Sequence, residues 1–266
     1  MHLLKRLVFL VVLLCTSCSG LPVQRQPIRV LFVGNSLTYV GNLPAVFSAL
    51  ATINGHRVAS DMIVKGGATL AQRLDDGSVA RALKENTYSV LVLQERGGDL
   101  TCSFGPESCI DSRRAVQALA ALGKSKGAKV LLLGTYQSEP ESSLRIVAAE
   151  SAIATAAGIA YVEVSNTLQT LRREHPERAW LYPDGHPARD LTLLDAVLVY
   201  RIAFGSYPVQ AGFTVMAPIY TSHSGLTASL RAADAPAPTP DTAEGITYSA
   251  RAVRQIIRGA KLSGAR

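Results

Sequence analysis

A chain of 266 residues has room for one large domain or two small ones. With 48% hydrophobic and 18% charged residues it can bury a full core, which excludes disorder over most of its length. The formal charge of +7 is spread along the chain, without a dense Lys/Arg block or interleaved aromatics, and so does not point to nucleic acid.

The chain opens with "MHLLKRLVFLVVLLCTSCSG", in which Lys5 and Arg6 precede an apolar run from Leu7 to Leu14 and then small residues. That run is too short to span a bilayer and has the pattern of a secretory signal. Thr16, Ser17 and Cys18 resemble the cleavage box of bacterial lipoproteins, although Cys15 stands where Leu is usual. Residues 1–17 are therefore expected to be a signal peptide, Cys18 a site of lipidation with plain secretion as the alternative, and residues 18–27 a tether. The expected location is the periplasm or the outer membrane. Setting residues 1–17 aside removes Lys5 and Arg6 and no acid, so the formal charge falls to +5.

From Ile28 onward, strand-like and helix-like segments alternate. "IRVLFVG" is a continuous apolar run ending in Gly, as in a strand buried on both faces. "LPAVFSALATING" has helical spacing, with Pro44 in its first turn and Gly55 closing it. "HRVASDMIV" is a second strand, followed by "KGG" and a helical stretch, residues 69–86, interrupted at Gly77. "YSVLVLQE" is the third strand. Cys102 and Cys109 follow, flanking "SFGPES", and in an oxidising compartment are expected to form a disulfide across a surface loop. Two free thiols are the alternative, and the spacing, with no His nearby, does not suit zinc.

A helix over residues 109–127, a fourth strand in "AKVLLLGTY", a helix ending at Gly158 and a fifth strand in "IAYVEVS" complete the alternation. Such alternation implies a parallel sheet covered on both sides, with every strand ending on one edge. The expected fold is a three-layer α/β/α sandwich on a five-stranded parallel sheet, one domain over residues 28–230. A polar loop with Pro183 and Pro187 leads to a helix from about Leu191 to Phe204. Residues 231–243 are expected to be an Ala/Pro-rich linker, and 244–266 an amphipathic helix and tail. The basic face of that helix is expected to be solvated, with an anionic membrane surface as the lesser alternative.

In an open parallel sheet, ligands bind beyond the C-terminal strand ends. "GNSLT", "KGGAT", "LQERGGD" and "PDGHP" all fall there. A serine hydroxyl needs a base to become a nucleophile, so Ser36 is either a helix cap or the partner of a histidine. Of His56, His175, His186 and His223, only His186 has a close acid in a constrained loop, Asp184. A carboxylate beside the imidazole would fix its tautomer and stabilise the imidazolium formed during attack. A structural turn is the competing explanation of Asp-Gly-His.

Together these stretches resemble the SGNH (GDSL-type) hydrolase family. "GNSLT" is similar to its first block, with Asn35 in place of the usual acid, and "DGHP" to its last. The resemblance implies a flavodoxin-like fold over roughly residues 28–205, with Ser36 as nucleophile, His186 as general base and Asp184 as its orienting carboxylate. It further implies an oxyanion hole from the Ser36 N–H, Gly67 (Gly66 being the near alternative) and a side-chain amide after the third strand. Two departures stand out. Asp184 is two residues before His186, where the family spaces the pair by three, so a backbone carbonyl could orient the ring instead. The third-block Asn is missing, and Gln94 takes its place.

There is no Gly-x-Ser-x-Gly elbow, Walker A loop or dinucleotide fingerprint, and no metal or cofactor is expected. The implied activity is hydrolysis of a carboxylic ester, with O-acetyl groups on carbohydrate or short-chain esters as substrates. The alternatives are acyl transfer to an envelope polysaccharide and a catalytically silent glycan-binding protein.

Overall fold

The computed structural model describes residues 26–239 and 243–263. The expected signal peptide, Cys18 and all but the last two residues of the tether lie outside the described residues.

Strand β1 (Ile28–Gly34) is flanked by β2 (Val58–Val64) and β3 (Val90–Leu93), and the sheet continues through β4 (Lys129–Leu133) to β5 (Ala160–Val162). All five are parallel. The sequence explains why the sheet sits in the middle. Val30 and Phe32 point into one apolar cluster and Leu31 and Val33 into the other, and β3 and β4 divide their residues in the same way. Burying each such side chain stabilises by about 1.5–3 kcal/mol, so both faces are committed to helices.

On the first face lie α2 (Leu43–Ile53), α7 (Ser165–Glu174) and α8 (Arg189–Phe204). On the second lie α3 (Leu70–Asp75), α4 (Ser78–Glu85), α5 (Pro106–Ser125) and α6 (Pro140–Ala157). A one-turn helix, α1 (Ser36–Tyr39), follows β1 directly. The order β5-β4-β3-β1-β2 reverses direction between β1 and β3. The loops leaving those two strands diverge there and open a crevice at the strand ends.

The last fifth of the chain differs from expectation. It forms an arm made of β6 (Phe213–Ile219), β7 (Arg231–Ala232), β8 (Ala243–Tyr248) and α9 (Ala250–Ser263). β7 pairs antiparallel with β2, so the sheet has six strands rather than five. The expected linker over 231–243 is therefore in part a strand. Ala233 is buried, and its carbonyl accepts from Asn42 Nδ2 at 2.8 Å. Pairing satisfies backbone groups that would otherwise stand open along the β2 edge. The expected helix from 244 likewise begins as β8, paired with β6, and turns helical only at Ala250. There the Ser249 hydroxyl accepts the Ala252 N–H, and Ala252, Val253, Ile256, Ile257 and Ala260 are buried.

Candidate active site

Gly34 ends β1 with no room for a side chain: a Cβ there would lie 2.2 Å from Thr38 Oγ1 and 3.0 Å from the Gln94 carbonyl. That close approach lets α1 start at once. Asn35 caps it, its side-chain oxygen accepting the Leu37 N–H at 3.0 Å. Ser36 is the first residue of the helix and partly exposed. Its N–H precedes the helical hydrogen-bond ladder, and its hydroxyl makes no hydrogen bond among the described residues.

Thr38, one turn along, donates its hydroxyl to Gln94 Oε1 at 2.7 Å. Gln94 Nε2 lies 3.4 Å from the Gly134 carbonyl, which can only accept, so the orientation of the amide is fixed. One amide N–H makes this long bond, and the other has no protein acceptor among the described residues. Gln94 is thus brought beside the Ser36 helix, though buried at 1% exposure.

Glu95, also 1% exposed, turns its carboxylate to the start of α3. It accepts from Leu70 N–H at 3.1 Å and Arg96 N–H at 2.8 Å. Burial pushes its pKa up to about 7, against the pull of those hydrogen bonds. Glu95 therefore ties the end of β3 to the helix that begins just after Gly67. Gly67 is exposed with φ +67°, and nothing stands within 4 Å of where its Cβ would be. Gly66 faces the Tyr39 hydroxyl, 3.1 Å from its hypothetical Cβ.

The same arrangement recurs under β4. Glu150 on α6 is fully buried and accepts from Thr135 N–H and Oγ1 and from the Tyr161 hydroxyl, each at 2.8 Å. Burial raises its pKa to about 7 despite these donors. The anchored loop presents Tyr136, whose hydroxyl donates to the Gly185 carbonyl at 2.9 Å.

Gly185 lies in the turn holding His186. Tyr182 N–H donates to the His186 carbonyl and Gly185 N–H to the Tyr182 carbonyl, both at 2.9 Å. Within this turn, Asp184 Oδ2 lies 3.0 Å from His186 Nδ1, and Oδ1 accepts the His186 N–H at 3.2 Å. The Nδ1 contact is close but lacks the alignment of a full hydrogen bond. Slight desolvation pushes the Asp184 pKa up; the His186 N–H, the Ser222 hydroxyl and the imidazole overcome it, leaving a net lowering. The two-residue spacing of Asp184 and His186 thus still permits contact between carboxylate and ring.

Ser36, Gly67, Gln94 and the Asp184–His186 turn all follow C-terminal strand ends or close over them. The two ends of the set are joined through Tyr39 on α1, whose hydroxyl donates to the Ser222 carbonyl at 3.4 Å, and Ser222 Oγ, which donates to Asp184 Oδ2 at 2.9 Å. Sequence reasoning missed Thr38, Glu95, Tyr136 and Ser222. Thr38 stands inside "GNSLT" and Glu95 beside Gln94, so proximity was their available signal; Ser222 lies in a stretch with no pattern.

The other candidates lie elsewhere. His56 stacks on Phe204 with ring centroids 3.9 Å apart, and His175 Nδ1 is 3.6 Å from Glu177. Cys102 and Cys109 are disulfide-bonded, with Cα atoms 5.0 Å apart, bracing the entry to α5. Among the described residues, no cluster of three His, Cys, Asp or Glu could hold a metal ion.

No family model matches the chain, and no curated protein matches it in sequence. Solved structures do. A protein from Slackia heliotrinireducens assigned as an SGNH hydrolase is 25% identical, with a TM-score of 0.53 over 65% of this chain and 97% of its own. The lipase/acylhydrolase from Enterococcus faecalis is 15% identical, with a TM-score of 0.53 over 69% of this chain and 100% of its own. A variant of Axe2, an acetylxylan esterase from Geobacillus stearothermophilus, is 13% identical, with a TM-score of 0.53 over 66% of this chain and 94% of its own. Each relative is matched almost whole by about two thirds of this chain, a share close to the length from β1 to α8. With its parallel sheet, its switch point between β1 and β3 and these matches, the chain has the fold of the SGNH (GDSL-type) hydrolases.

Proposed function

We propose that the protein is an exported serine esterase that hydrolyses a carboxylic ester. Ser36 attacks the acyl carbon, and His186 takes its proton and returns it to the leaving alcohol. Asp184 steadies the imidazolium between those steps. The N–H groups of Ser36 and Gly67, with the second N–H of the Gln94 amide, receive the oxyanion. Water then hydrolyses the acyl-enzyme by the same route in reverse, and the chemistry described needs only these side chains.

The observation that carries this reading is the 3.0 Å contact between Asp184 and His186, in a turn tied through Ser222 to the helix that Ser36 opens. That two structural relatives are an acetylxylan esterase and a lipase/acylhydrolase supports ester substrates. O-acetylated carbohydrate and short-chain esters are accordingly the substrates to try first. Export rests on the charged and apolar pattern of residues 1–17, and attachment to the outer membrane on a lipid at Cys18.

A fluorophosphonate probe should label the purified protein, and Ser36→Ala should abolish labelling. His186→Ala should remove p-nitrophenyl acetate turnover while leaving the melting temperature near that of the parent. A well-folded parent that neither labels nor turns over esters refutes the proposal.

A further inference from the structure

The arm that follows α8 returns to the candidate site. Tyr220 forms a parallel bridge with Val40, and Gly41 N–H donates to its carbonyl at 2.9 Å. This brings the next residues across the end of α1. Thr221 N–H donates to the hydroxyl of buried Ser224 at 2.8 Å, which fixes the turn between them. Ser222, inside that turn, bonds in two directions: its carbonyl accepts from Tyr39, and its hydroxyl donates to Asp184 Oδ2.

Asp184 needs such a partner. Its side chain is 48% exposed and sits in a turn only two residues from His186. A carboxylate so exposed is free to rotate into water, where it no longer orients the ring. The His186 N–H holds Oδ1, and the Ser222 hydroxyl holds Oδ2. Two donors on two oxygens define the plane of the carboxylate and keep Oδ2 facing Nδ1.

We propose that Ser222 is a positioning residue of the active site: its hydroxyl locks Asp184 against His186, making the C-terminal arm a working part of the catalytic centre. This inference rests on the serine-esterase reading. Ser222 bonds to Asp184 rather than to Ser36 or the His186 ring, and so acts through Asp184. It compensates for the short Asp–His spacing with a group that arrives from outside the β1–α8 sheet.

The test uses the full chain, with p-nitrophenyl acetate turnover and the rate of fluorophosphonate labelling as paired readouts. Ser222→Ala is expected to lower kcat and the labelling rate by about tenfold, with KM and melting temperature little changed. Ser222→Thr, which keeps the hydroxyl, is expected to restore most of both rates. In an Asp184→Ala background, Ser222→Ala is expected to cost nothing further, because its only route to the chemistry is already gone. Parental rates in Ser222→Ala, equal losses in the Thr and Ala variants, or additive losses in the double variant each overturn the proposal. If the parent labels at Ser36 and these results still fail, only the positioning role falls. If the parent does not label, the esterase reading falls and takes this inference with it.

Discussion

Thr38 and Gln94 show how much a single hydroxyl can decide. In the proposed oxyanion hole the Gln94 amide can donate only while its carbonyl is turned away, and Thr38 holds that carbonyl at 2.7 Å. Thr38→Val keeps the shape and removes the donor, and should lower kcat by about tenfold at unchanged KM. Gln94→Ala removes the amide itself and should cost ~10²–10³ in kcat, as measured by steady-state turnover of a short-chain ester. Glu95 and Glu150 carry a second prediction at this scale. Burial raises both pKa values to about 7, above the ordinary carboxylate range they adopt in the unfolded chain. Between those limits these two groups bind more protons in the folded chain than in the unfolded one, so their contribution to stability is full below about pH 4.5 and is lost as pH rises to about 7. Denaturant midpoints measured from pH 5 to 8 should decline, and Glu95→Gln or Glu150→Gln should flatten the decline.

At the scale of elements, the junction from β1 to α1 is the tightest in the molecule's working edge. Gly34→Ala would force a methyl group to within 2.2 Å of Thr38 Oγ1 and 3.0 Å of a backbone carbonyl. It should destabilise the fold by about 1–3 kcal/mol by chemical denaturation and reduce turnover together with it, because relief of the clash displaces Thr38 from Gln94. β1, β3 and β4 were readable because each is a mostly apolar run buried on both faces and ended by a polar loop or a glycine. The break at Gly77 was equally plain, since its φ of +67° separates α3 from α4. The onset of α5 at Pro106 rather than Cys109 reflects proline's fitness for a first helical turn, which an apolar count overlooks. β7 had no such signal. Two residues paired with a strand about 170 positions earlier leave no periodicity to detect. The Ser222 contact was hidden for the same reason, whereas Ser36, Asp184 and His186 each stood in a short stretch with turn chemistry of its own.

Across the whole molecule, Asn42 is the rivet between the sheet and the arm. It sits at φ +54°, caps α2 through Ala45 N–H, and donates to the carbonyls of Pro218 at 2.7 Å and Ala233 at 2.8 Å. Asn tolerates that backbone better than most residues, and both carbonyls would lose their donor in Asn42→Ala. That variant should lower stability by about 3 kcal/mol by urea denaturation and make residues 213–248 susceptible to limited proteolysis. The placement of β7 has a further consequence for biosynthesis. The flank of β2 stays uncovered until residues 231–232 have been made, long after the rest of the sheet can assemble. A chain still on the ribosome, or halted at residue 205, presents a naked sheet margin to its neighbours. A chain ended at residue 205 should therefore aggregate more readily than the full chain, as light scattering would show.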